Sequence, residues 1–64
     1  MKNEINTKLS DFQIGMLVRL NNDTKNVVMS VHQVDADGLV WCDWINDKGK
    51  PERNAYSYLQ LEIV

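Results

Sequence analysis

Apolar side chains in this chain recur at every second position, a spacing that predicts strands rather than helices. In Met16-Leu17-Val18-Arg19-Leu20, alternation puts Met16, Val18 and Leu20 on one face and Leu17 and Arg19 on the other. Asn21 to Asn26 reads as a turn, because Asn and Asp bond their own backbone and tolerate left-handed geometry. Val27 to Val34 is rich in β-branched residues and predicts the second strand, with Val27, Met29 and Val31 opposite Val28, Ser30 and His32. Val34 breaks that parity, so a bulge or strong bend is expected near Gln33. Asp35-Ala36-Asp37-Gly38 is a hairpin turn with Gly38 in the left-handed position. It feeds a third strand, Leu39 to Ile45, which presents Val40, Cys42 and Trp44 on one face and Leu39, Trp41, Asp43 and Ile45 on the other.

Asp47 to Pro51 predicts a second hairpin turn, followed by a short strand around Glu52 to Tyr56. Ser57-Tyr58-Leu59 reads as a tight turn, and Leu61 with Ile63 marks a closing strand. Upstream, residues 1–10 are polar apart from Ile5 and Leu9, spaced as one helical turn, and read as an arm or short helix. Ser10-Asp11 is placed to cap a turn, and Gly15 to supply a backbone shape that other residues resist. The expected organisation is an N-terminal arm over residues 1–10 and one all-β domain over residues 11–64. Five short strands with tight turns point to a small, strongly bent barrel, which leaves few free edges.

Composition narrows the picture. The chain has 64 residues, near the lower limit for folding without staples. Its one cysteine, Cys42, allows no internal disulfide and no paired thiols for zinc, so stability rests on packed apolar side chains. No apolar run serves as a signal peptide or approaches the roughly 18 residues of a membrane span, so a reduced, cytoplasmic setting and no membrane partner are expected. A net charge of −2 argues against wholesale binding to phosphate backbones. Lys48, Lys50 and Arg53 form a local basic spot, but Asp47 and Glu52 sit among them.

Phe12-x-x-Gly15-x-x-Val18-Arg19-Leu20, then Met29-x-Val31, then Gly38-Leu39-Val40-x-Cys42-x-Trp44 resemble the YodC-like family of small uncharacterised bacterial proteins. Arg53-Asn54-Ala55-Tyr56 followed by Leu61 looks like that family's closing segment, with Tyr56 where Phe is usual. The resemblance spans roughly residues 12–63, and the Val-x-Cys-x-Trp strand is its most specific part. It implies a five-stranded SH3-like barrel and no established activity. The chain departs from the family at two places. The turn Asn21 to Asn26 is longer and lacks the family's Gly-Gly-Pro, and Trp41 stands where a charged residue is usual.

Trp44, on the Val40–Cys42 face, reads as core. Trp41 then faces outward with Asp43, unless Ile5 or Leu9 of the arm, or a strongly curved second sheet, covers it. A reversed assignment of faces swaps the two tryptophans. An outward Trp41 beside Leu39 and Ile45 makes an apolar stripe of the kind that marks interaction surfaces. Cys42, between Val40 and Trp44, reads as a buried neutral thiol. His32 lacks a well-oriented nucleophile, Ser30 being two residues away on the same strand face. Asp35 and Asp37 read as turn chemistry, because a calcium loop needs further oxygen ligands at set spacings. No phosphate-cradling glycine loop exists.

The sequence therefore predicts a non-catalytic binding module with no cofactor and no metal. It engages a protein partner or a second copy through Trp41, Leu39 and Ile45, with Tyr56 or Tyr58 contributing. The alternative is single-stranded nucleic-acid binding, with Trp41 and a tyrosine stacking on bases and Lys48, Lys50 and Arg53 holding phosphates.

Overall fold

A computed structural model describes residues 8–64. Five strands form one antiparallel sheet: β1 (Leu17–Leu20), β2 (Met29–Val34), β3 (Leu39–Ile45), β4 (Pro51–Ser57) and β5 (Leu61–Ile63). Two single 3-10 turns, Leu9–Asp11 and Tyr58–Gln60, are the helical elements among the described residues. Strand order is β4-β3-β2-β1-β5, a four-strand meander whose fifth strand returns beside the first. The sheet is open. Among the described residues β4 and β5 are its two edges and are not paired with each other, so no closed barrel ladder forms. Ile5 and most of the expected arm lie outside the described residues. Leu9 packs against the core, and Asp11 accepts the Lys8 N–H at 2.9 Å to close the first turn.

The alternation read from the sequence builds the core. Val18, Val31, Val40 and Cys42 are fully buried, joined by Phe12, Met29 and Leu61. Val40 and Cys42 sit on one side of β3, and Trp44 packs half-buried against the same cluster. Leu17, opposite in parity to Val18, is half exposed as expected. Seven buried apolar side chains among the described residues make a small core, so each carries a large share of the burial that holds the sheet together.

The strand ends differ from the expected ones for identifiable reasons. β1 starts at Leu17 because the Met16 N–H closes a turn onto the Gln13 carbonyl at 3.1 Å. β2 starts at Met29 because Asp23 accepts from the N–H groups of Lys25 (2.9 Å) and Val27 (3.1 Å), holding the approach in a loop. Asn26 takes the left-handed backbone there, at φ 57°. The expected bulge is present: the register shifts between Val31 and Gln33, leaving His32 as the extra residue. Gly38 has φ 99°, the left-handed geometry the hairpin requires. β4 runs longer than expected, over Pro51–Ser57, because it pairs along all seven residues of β3.

Candidate functional site

The face of the sheet away from the core is where β2, β3 and β4 present chemistry. Register places Trp41 between Gln33 on β2 and Ala55 on β4. Leu39 lies opposite Ser57, and Ile45 opposite Pro51. Trp41 is half-buried and absent from the core cluster, whereas Ile45 is 64% exposed. The Trp41 Nε1–H donates to Asp35 Oδ2 at 2.9 Å, and Asp35 Oδ1 accepts from Gln33 Nε2 at 2.6 Å. These two donors, Gln33 first and then Trp41, hold the Asp35 carboxyl below its ordinary pKa. Both ends of the carboxylate are occupied, so the indole's polar edge is tied to the β2–β3 turn.

One row further along, Ser30, Asp43 and Arg53 are register partners across three strands. Arg53 Nε donates to Asp43 Oδ1 at 2.6 Å, with Nη2 to Oδ2 at 3.4 Å. This hydrogen bond first, and then the Arg53 charge, lowers the Asp43 pKa, and the same bond with the Asp43 charge raises that of Arg53. His32 Nδ1 stands 3.8 Å from Asp43 Oδ2. No hydrogen bond joins Ser30 to His32 among the described residues. A groove of about 450 Å³ beside this pair is lined by Ser30, Asp43, Ile45, Pro51 and Arg53 together with Trp44 and Glu52. A second depression, about 280 Å³, is lined by Lys25, Val27 and Trp44 among others.

The residues singled out from the sequence are thus divided between faces. Leu39, Trp41 and Ile45 share the outer face. Tyr56 does not join them, because it is the register partner of Val40 and faces the core side. There its ring lies 6.5 Å from that of Trp44, tilted by 39°. Tyr58 also packs against the core, and its ring approaches Gly38. The basic spot is divided as well. Lys48 and Lys50 lie at the β3–β4 turn, where both backbone N–H groups bond to Asn46 Oδ1, at 2.9 and 3.0 Å. Arg53 is on the outer face, bound to Asp43.

Asp35 and Gln33 are not read from the sequence as parts of this face; Asp43 is, but its pairing with Arg53 is not. The opposite charges at 43 and 53 become a signal once the hairpin register is known, since they fall directly across from each other. Cys42 is fully buried, and burial first, then the Asp43 charge, pushes its thiol up to about 11. Among the described residues no cluster of His, Cys, Asp or Glu could hold a metal ion, and no helix is long and apolar enough to cross a membrane. No family model, curated protein or solved structure matches this chain.

Proposed function

We propose that the chain is a non-catalytic binding module that engages a protein partner, or a second copy of itself, through the outer face of β3. The observation that carries this reading is the state of Trp41. Its one polar atom is satisfied within the chain by Asp35, and Asp35 is itself held by Gln33. What Trp41 offers a partner is therefore apolar ring surface in a fixed orientation. Such preorganisation lowers the entropy cost of binding, and tryptophan is the residue type most enriched among energetically dominant contacts. Leu39 and Ile45 extend the apolar surface along the strand, and the Asp43–Arg53 pair supplies a polar rim.

The same proposal places the chain near the YodC-like proteins, as an SH3-like small barrel working in a reducing, cytoplasmic setting. The meander with a 3-10 turn before its closing strand supports the fold, and the buried Val40 and Cys42 with half-buried Trp44 on the same face support the kinship. A lone buried thiol fits the compartment. The non-catalytic reading is supported by the Asp43 oxygens being engaged by Arg53 rather than orienting His32 toward a nucleophile. A nucleic-acid role would share Trp41, with Lys48, Lys50 and Arg53 on phosphates. It ranks second because a phosphate would have to take Arg53 from Asp43.

Sedimentation equilibrium across a wide concentration range, on wild type and Trp41→Ala, tests the proposal. A concentration-dependent mass, or a bound protein partner, that disappears in a folded Trp41→Ala is the expected result. Identical mass, solubility and partners in both would sink it. Salt-sensitive binding of a short single strand, lost with Lys48→Ala and Lys50→Ala, would replace it with the second reading.

A further inference from the structure

Each free edge of an open sheet presents a row of backbone groups to solvent, and the row on β4 can be located residue by residue. The Asn46 N–H donates to the Lys50 carbonyl and the Tyr58 N–H to the Gly38 carbonyl, which fixes the hydrogen-bonded pairs of the β3–β4 ladder. By alternation, Glu52, Asn54 and Tyr56 direct their backbone groups at β3, while Pro51, Arg53, Ala55 and Ser57 direct theirs outward. Pro51 has no N–H. The outward N–H of Ala55 is taken by Asn54 Oδ1 at 2.9 Å, and that of Ser57 by Gln60 Oε1 at 3.2 Å. Three of these four outward positions are thereby closed as donors, leaving Arg53.

The opposite edge is treated the same way. Asn21 N–H to Gln60 and Val64 N–H to Leu17 fix the β1–β5 ladder, so Leu61 and Ile63 point outward. The Leu61 N–H is taken by the Tyr58 carbonyl, the last bond of the 3-10 turn. Among the described residues each edge therefore keeps a single outward N–H without an acceptor of this kind, Arg53 on β4 and Ile63 on β5. An incoming strand needs several donors in a row, and neither edge offers two neighbouring ones.

We propose that Asn54 and Gln60 are edge guards that close β4 to strand addition by a second copy of this chain. Asn54 is exposed and makes no contribution to the buried core, so its place in a seven-residue strand of otherwise ordinary pairing is explained by the bond it makes to its neighbour. β-branched residues suit this position better on propensity alone. The guard does not depend on the binding reading above. It states how copies are prevented from joining edge to edge, whatever meets the face.

Amide hydrogen exchange and sedimentation together test it. In wild type the Ala55 and Ser57 amides, corrected for intrinsic rates, should exchange about three- to tenfold more slowly than Arg53, the range expected of one hydrogen bond of ordinary net strength. Asn54→Val should abolish the protection at Ala55 alone, Gln60→Ala that at Ser57 alone, and Asn54→Asp, which keeps an acceptor, should retain it. The Asn54→Val/Gln60→Ala pair, placed in a Trp41→Ala background to remove association through the face, should gain a concentration-dependent mass absent from Trp41→Ala. Ala55 exchanging as fast as Arg53 in wild type overturns the proposal. So does a folded triple variant whose mass stays monomeric at every concentration.

Discussion

Cys42 offers the sharpest quantitative test of the fold, because its thiol is fully buried and must stay neutral to remain so. Burial, with a smaller contribution from Asp43, raises its pKa from the ordinary 9.0 to about 11. Its folded-state pKa thus lies above its unfolded one. Between those values the unfolded chain releases a proton that the folded chain retains, so stability falls as pH rises. The slope approaches about 1.4 kcal/mol per pH unit, and the loss reaches roughly 2.3 kcal/mol by pH 11 and levels off near about 2.7 kcal/mol above it. Against a total stability of about 3–10 kcal/mol for a chain of this length, the loss is large.

Comparison with Cys42→Ala isolates this contribution, since lysines and tyrosines titrate alike in both proteins. At neutral pH the variant should be less stable by about 1–2 kcal/mol, the cost of a small cavity beside Val40. Wild type then loses its advantage as pH rises, and the two stabilities should cross near pH 10. Above that pH, Cys42→Ala should be the more stable protein. Urea unfolding at half-unit steps from pH 7.5 to 10.5, followed by tryptophan fluorescence, measures both curves. A gap that stays constant across the series would refute the reasoning, since it would mean that the thiolate is tolerated in the folded chain.

Two further tests address the hairpin and the indole tether. Gly38→Ala places a side chain at φ 99° where space is adequate, its Cβ meeting the Tyr58 ring at an ordinary 3.7 Å. The cost is therefore backbone strain, about 1–2 kcal/mol, which should lower Tm by about 5–15 °C in a scan. A change under about 2 °C would show that the turn relaxes freely. For Asp35, whose pKa is lowered by Gln33 and Trp41, the stabilisation is present above the ordinary carboxylate value of 3.8 and is lost as pH falls through the lower native one. The Trp41 indole N–H resonance should move in that acid range in wild type and stay still in Asp35→Asn. The same movement in both proteins would place the titrating group elsewhere.

What could be read from the residues follows where local chemistry and burial agree. β3 was legible from end to end because a turn signal stands on each side of it and Val40 and Cys42 mark its buried parity. β4 was only partly legible. Pro51, Glu52, Arg53 and Asn54 are all exposed and carry no apolar alternation, so they form a strand because β3 supplies the pairing. The start of β2 was hidden for the opposite reason. Val27 and Val28 have strand propensity, but the Asp23 carboxylate claims the Val27 N–H. Tyr56 could not be assigned a face until the hairpin register tied it to Val40.

The outer face depends on a detail that parity alone expressed as an irregularity. Counting from Val31, strict alternation would send Gln33 toward the core and Val34 outward. The extra residue at His32 reverses both, so Val34 packs against the core cluster and Gln33 lies beside Trp41. From that position Gln33 reaches one oxygen of Asp35 while Trp41 takes the other. Without the bulge, a polar amide would enter a core of seven apolar side chains, and the carboxylate that anchors the indole would lose one of its two donors. The geometry thus uses the extra residue at position 32 rather than its imidazole. The same step completes the core at Val34 and assembles the surface around Trp41.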